Sequence, residues 1–226
     1  MIVGGGLLAK SFVDIDEENI LIFASGVSNS LEDRLEEFER ERLLLEKYLD
    51  LHVELNTLFV YFSTCSIYDP SKIDSYYIKH KLRMEQLVKE RSKKYLIFRA
   101  SNIVGKGGNR GLLLNYLYES LMTGREVVVH TKAYRNLLDI DDLKLICRHY
   151  IDSGIVNKTI NAAYKDCFSV LEIIRSFEAI FSKKFNSRMM DEGGKYSINV
   201  DAIYSLFEAS QSKEDYLNQL IRKYYH

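Results

Sequence analysis

Short apolar runs alternate with amphipathic segments along this chain of 226 residues, and no other feature constrains its fold as much. Runs at 1–4, 19–24, 58–63, 95–99, 126–130 and 158–162 have the length and the β-branched or aromatic content of buried strands. Between them, 7–13, 31–50, 75–91, 111–123, 140–152 and 169–182 read as helices, with further helical segments at the end. Within 31–50, Leu31, Leu35, Phe38, Leu45 and Leu49 fall on one stripe. Strands alternating with helices predict an α/β fold whose parallel sheet is joined by right-handed crossovers. The length suits one core, or a main domain with a small lobe.

Composition narrows the function classes. The 31 Lys and Arg are interspersed with 32 Asp and Glu, for a net charge of −1, so no basic field points to nucleic acid. No apolar run approaches a membrane span, and the N-terminus lacks the basic region and long apolar core of a secretory signal. Cys65, Cys147 and Cys167 stand at unrelated spacings, which predicts neither a disulfide framework nor a metal site and suits a reducing cytosol. His52, His130 and His149 are scattered, with no metal-ligand spacing.

The chemistry concentrates between residues 60 and 81. Val60–Pro70 reads as a buried strand that ends in hydroxyl residues and a turn, and Tyr76–Lys81 opens the next helix. Tyr77 and Lys81, four apart, share a helix face. Lys81 beside the Tyr77 phenol would favour phenolate, and Thr64 at the strand end could hydrogen-bond the same substrate oxygen that Tyr77 protonates or deprotonates. The same pair also suits an amphipathic surface helix, and Thr64 also suits a helix cap. His80, inside the tetrad, is expected at the surface. The charged run Glu36–Arg42 reads as a solvated or dimer-rim face.

Three further segments add weight. The first strand runs into Gly4-Gly5-Gly6-Leu7-Leu8-Ala9, a G-x-G-x-x-A turn that lets backbone approach a pyrophosphate at a helix N-terminus. The second strand ends in the small residues Ala24, Ser25 and Gly26, and a later strand, Tyr95–Arg99, leads through Asn102 to a glycine-rich loop.

Taken in order, these runs resemble the short-chain dehydrogenase/reductase superfamily, in its extended branch of NAD-dependent nucleotide-sugar epimerases, dehydratases and reductases. Arg135-Asn-Leu-Leu-Asp-Ile-Asp-Asp142 and Lys158–Ala163 are similar to later segments of that family, so the likeness spans nearly the whole chain. The resemblance implies a Rossmann-like doubly wound parallel sheet, as one domain over 1–226, with about 104–135 and 164–226 forming a small substrate-binding lobe. It implies catalysis by Thr64, Tyr77 and Lys81 on a nucleotide-activated sugar. NAD or NADP would be bound by Gly4, Gly5, Gly6, Leu7, Leu8, Ala24, Ser25, Gly26, Tyr77 and Lys81. Substrate would be bound by Cys65, Ser66, Asn102 near the sugar and Arg135 on the diphosphate. It further implies a cytoplasmic homodimer through helices 31–50 and 75–91.

The departures shape the rest. Family members carry two further strand–helix units between the glycine turn and the strand at 19–24, whereas only Lys10–Glu18 fills that interval here. The sheet is therefore expected to be shortened on the adenosine side, with strand 1–4 at an edge. The acid that grips the adenosine ribose is then missing unless Asp14 or Asp16 substitutes. The Asp-Glu that dehydratases carry after the threonine is replaced by Cys65-Ser66, which favours 4-keto reduction or epimerisation over dehydration. Cys65 fits a small buried residue better than an epimerisation base, because the loop 105–111 holds no histidine partner. The alternative reading is a non-catalytic member that binds a nucleotide sugar or a partner protein.

Overall fold

A computed structural model describes residues 1–15, 17–207 and 211–226. Its strands are β1 (Ile2–Val3), β2 (Ile20–Phe23), β3 (Leu58–Thr64), β4 (Tyr95–Ala100), β5 (Asn102–Val104), β6 (Val127–His130), β7 (Tyr134–Arg135), β8 (Leu137–Asp139), β9 (Lys158–Ala162), β10 (Phe168–Ser169) and β11 (Ser187–Met190). Its helices are α1 (Leu7–Ser11), α2 (Leu35–Leu55), α3 (Tyr76–Arg91), α4 (Leu113–Thr123), α5 (Ile140–Asp152), α6 (Val170–Phe181) and α7 (Lys213–Tyr225).

The central sheet is parallel throughout, in the order β1-β2-β3-β4-β9. Parallel strands covered on both faces must be apolar on both, and all four residues of β2 are buried. Alternate side chains then feed two cores. Leu21, Phe23, Phe59 and Tyr61 pack with Leu45 and Leu49 of α2 and Met84 and Val88 of α3. Ile20, Ile22, Val60 and Phe62 pack on the other face with Phe12 and with Leu143 and Ile146 of α5. Each such side chain contributes about 1.5–3 kcal/mol on burial, so this two-sided cover is what holds the sheet.

A further core lies away from the sheet. Val104, Leu114, Leu117, Val127, Leu137, Phe168, Phe177 and Tyr216 form it, among α4, α6, α7 and three two-stranded ladders. The ladders pair β5 with β8 and β6 with β11 in parallel, and β7 with β10 antiparallel. The Tyr164 and Tyr216 rings stack at 3.7 Å within it.

As expected, β1 lies at the sheet edge, and among the described residues no strand pairs with its outer side. Residues 10–15 hold the end of α1 and a 3₁₀ turn at Val13–Ile15. Gly4 explains why β1 must end in glycine: its φ is +134°, and a Cβ there would stand 2.4 Å from the Ala24 carbonyl oxygen.

Two helices differ in extent from expectation. The second helix begins at Leu35 and runs to Leu55, where Asn56 turns left-handed and ends it. Leu31, before the helix, is 80% exposed and Leu35, in its first turn, 69%, so only Phe38, Leu45 and Leu49 of the expected stripe are buried. The first helix stops at Ser11 because Phe12 turns into the core.

Candidate functional site

β3 delivers Thr64 to the carboxyl end of the sheet, in register with Ala100 of β4. There the chain turns into a 3₁₀ segment, Cys65–Tyr68, which Thr64 caps by accepting a hydrogen bond from Ser66 N at 3.0 Å. Ser75 starts α3 in the same way, its hydroxyl accepting from Ile78 N at 3.3 Å. That start sets Tyr77 and Lys81 one turn apart on the buried face of α3. Thr64, Tyr77 and Lys81 are all buried.

Burial pushes the Tyr77 phenol above its ordinary value of 10.0. Lys81 and a hydrogen bond with the Thr64 side chain pull the other way but do not prevail, and Glu41 adds to the rise. The sequence predicts a phenol tuned downward by Lys81. The structure differs because burial of the phenol outweighs the pull of the lysine, which is itself paired.

Lys81 Nζ donates to Glu41 Oε1 at 2.9 Å, to the Tyr61 hydroxyl at 3.2 Å and to the Phe62 carbonyl at 3.4 Å. Its ammonium also stands 5.1 Å from the centre of the Tyr61 ring. Glu41 is fully buried and gathers the other donors. Its Oε1 accepts from the Tyr61 hydroxyl at 2.7 Å, and its Oε2 accepts from Val27 N at 2.6 Å. His80 Nε2 lies 3.1 Å from Oε2, an ion-pair contact outside hydrogen-bond geometry. Burial alone would raise the Glu41 carboxyl, yet Lys81 and His80 hold it well below the usual carboxylate range.

Two expectations are corrected here. His80 is not a surface residue: its side chain is 8% exposed and packs against Glu41. The run Glu36–Arg42 is not wholly a solvated rim, because Glu41 points inward. A signal for Glu41 exists in the sequence, since Phe38, Glu41, Leu45 and Leu49 share one helical stripe.

The glycine-ended loop after β2 closes over this pair. A Cβ on Gly26 would stand 2.5 Å from Lys81 Nζ and 2.9 Å from Glu41 Oε1. The neighbouring Ser25 carbonyl accepts from Arg40 at 3.3 Å, and Ala24 N bonds the Val3 carbonyl at 2.8 Å. At the first turn, Gly5 and Gly6 leave open space where a Cβ would stand, and Leu7 and Leu8 begin α1 beside them.

The residues expected around the substrate are dispersed. Cys65 is buried, its thiol donates to the Arg99 carbonyl at 2.8 Å, and burial pushes that thiol up. Its side chain packs in the core beneath the sheet's carboxyl end. Ser66 is half-buried beside it. Asn102, on β5, donates its side-chain amide to the Asn136 carbonyl at 2.7 Å. Arg135, on β7, donates to the Tyr134 carbonyl at 2.7 Å and stands 3.9 Å from Asp69. Asp14 pairs with Lys144 at 3.0 Å, and Asp16 lies outside the described residues.

A cavity of about 520 Å³ opens next to the 134–136 strand pair, lined in part by Tyr134, Asn136, Lys165, Cys167, Lys195 and Lys213. Its three lysines come from segments far apart in the chain, so no local pattern announces it.

A family model described as the NAD dependent epimerase/dehydratase family matches residues 7–163. No curated protein matches the chain in sequence. Among solved structures, the chain is similar to a UDP-glucuronic acid 4-epimerase from Bacillus cereus in complex with UDP-glucuronic acid and NAD. That match has a TM-score of 0.75 and 17% identity, and covers 96% of this chain and 78% of the other. A dTDP-glucose 4,6-dehydratase from Bacillus anthracis in complex with NAD has a TM-score of 0.75 and 14% identity, over 96% of this chain and 75% of the other. The protein RMD from Pseudomonas aeruginosa, complexed with NADPH, has a TM-score of 0.71 and 14% identity, over 90% and 79%. At these identities the likeness is one of fold: an α/β, Rossmann-like parallel sheet.

Proposed function

This chain belongs to the NAD-dependent epimerase/dehydratase family, and from that membership we propose that it is an NAD(P)-dependent oxidoreductase-type enzyme acting on a nucleotide-activated sugar, by 4-keto reduction or epimerisation. The observation that carries the reading is the convergence of Thr64, Tyr77 and Lys81 at the carboxyl end of β3, where ligands bind in open α/β sheets. Tyr77 exchanges a proton with the sugar oxygen, and Thr64 orients that oxygen. A bound nicotinamide supplies or accepts the hydride at the sugar carbon. Cys65-Ser66 in place of an acidic pair after Thr64 disfavours dehydration.

The residues present fit a dinucleotide at one end and not at the other. Gly5 and Gly6 leave room for a pyrophosphate beside the start of α1, with Leu7 and Leu8 on its first turn and Ala24, Ser25 and Gly26 across from it. At the adenosine ribose, Asp14 is held by Lys144 and no strand flanks β1 among the described residues. We therefore read the cofactor half as truncated and its grip as weak. The substrate would lie towards the small lobe formed by about 104–135 and 164–226, where Arg135 and the lysines of the large cavity suit a diphosphate.

Leu43, Val53 and Leu82 are exposed on α2 and α3, which suits a homodimer through these helices. Among the described residues no helix is long and apolar enough to cross a membrane. The three free cysteines suit a cytoplasmic setting.

A second reading has its own observation. Lys81 already has three protein acceptors, as a non-catalytic binder of a nucleotide sugar or a partner protein could retain. Incubation with reduced nicotinamide dinucleotide and a nucleotide 4-keto sugar separates the two. The enzyme oxidises the dinucleotide and Tyr77→Phe does not; equal turnover in Tyr77→Phe sinks the mechanism.

A further inference from the structure

The Glu41 carboxylate has no part in the roles given to Thr64, Tyr77 and Lys81, yet it is the most heavily bonded group beside them. It sits at no exposure on α2 and meets four donors: Lys81 Nζ, the Tyr61 hydroxyl, Val27 N and, by ion-pair contact, His80 Nε2. Those donors come from α3, β3 and the loop after β2. Gly26 lets that loop close down on the pair, because any Cβ there would collide with Lys81 Nζ. An unpaired buried carboxylate costs several kcal/mol, and these donors offset that cost for Glu41.

We infer that Glu41 is a positioning residue that ties up the Lys81 ammonium and cancels its charge, so that Tyr77 stands in the site as a neutral proton donor. The groups that face Tyr77 are Thr64 from β3, Lys81 from its own helix and Glu41 from α2, set among the apolar Val27, Phe38 and Ile78. Lys81 and Thr64 favour the phenolate. Glu41 opposes them directly, and also indirectly by pairing with the lysine. Burial is the largest cause that holds the phenol above its ordinary value, and Glu41 adds to it. Tyr61 stays a phenol as well, because burial and Glu41 push it far up. A site so arranged is ready to protonate an oxygen that receives a hydride at its carbon, and is poorly placed to take a proton from an alcohol. The inference rests on the oxidoreductase reading for its catalytic meaning, and points within it to reduction.

Its test needs no turnover. In protein labelled with ¹³Cζ-tyrosine, the Tyr77 resonance is the one lost in Tyr77→Phe. It should keep its phenol position up to about pH 9.5, and in Glu41→Gln it should titrate lower by about one pH unit or more, as expected for removal of a close like charge. If Glu41→Gln does not fold, Glu41→Asp keeps the charge but withdraws it from Lys81, and a smaller shift in the same direction is expected. A Tyr77 that titrates below about pH 8 in the parent, or identically in parent and variant, overturns the inference. The expected titrations in a protein that never oxidises a reduced dinucleotide would sustain Glu41's role while removing the oxidoreductase reading.

Discussion

Glu41 and Lys81 form a buried charge contact beside the candidate site, and their burial decides what mutation and pH should do there. Tyr77→Phe removes only the proton-carrying oxygen, so turnover should fall by about 10²–10⁴-fold while circular dichroism and the unfolding midpoint hold. Lys81→Met leaves Glu41 buried with its main counter-charge gone, and should cost about 3–5 kcal/mol in urea unfolding. The sign of the acid response follows from the lowered Glu41 carboxyl. The unfolded chain binds that proton near the ordinary 4.5 and the folded chain only well below it. Glu41 thus stabilises the fold fully above that value and loses its contribution as pH falls beneath it. Urea midpoints taken between about pH 5 and about pH 3 should drop more steeply in the parent than in Glu41→Gln; equal slopes would contradict the pairing. Thr64, Tyr77 and Lys81 were legible because their spacing is local to one strand and one helix. Glu41 lies 40 positions from Lys81, and only its place on the stripe with Phe38 and Leu45 hinted that it faces inward. His80 was misplaced because the helical period alone does not reveal which flank of α3 meets α2.

At the scale of elements, the long strands and helices could be read because each buries a regular apolar pattern. β6 to β8, β10 and β11 are two to four residues long and hold by pairings between distant segments, so periodicity had too few residues to register most of them. The start of α2 was misjudged because Leu31 and Leu35 continue the apolar period while standing in solvent. The glycine turns allow a contrast that separates structure from binding. Gly26→Ala forces a methyl against Lys81 and Glu41, and should destabilise by about 1–3 kcal/mol, as overpacking does. Gly5→Ala meets open space, so its thermal midpoint should stay near the parent's while dinucleotide affinity falls. An unchanged affinity in Gly5→Ala would remove the first turn from the cofactor site.

At the scale of the molecule, the five-stranded parallel sheet ends at β1 among the described residues, and in the reading proposed above it keeps strand-end chemistry without a strand to hold an adenosine ribose. That edge was legible in the short interval between the glycine turn and β2. The large cavity was not, because Lys165, Lys195 and Lys213 meet only through the tertiary fold. Losing one charge-assisted grip on the ribose costs roughly 1.5–3 kcal/mol, or about ten- to a hundred-fold in affinity. The central claim, that this shortened sheet still serves a nicotinamide dinucleotide, is tested most directly by titrating the protein with NADH and with NADPH and following nicotinamide fluorescence. Saturable binding is predicted, weak enough that no dinucleotide copurifies and nearly equal for the two forms. No fluorescence change with either, up to about 1 mM, where binding would be worth only about 4 kcal/mol, would contradict the claim.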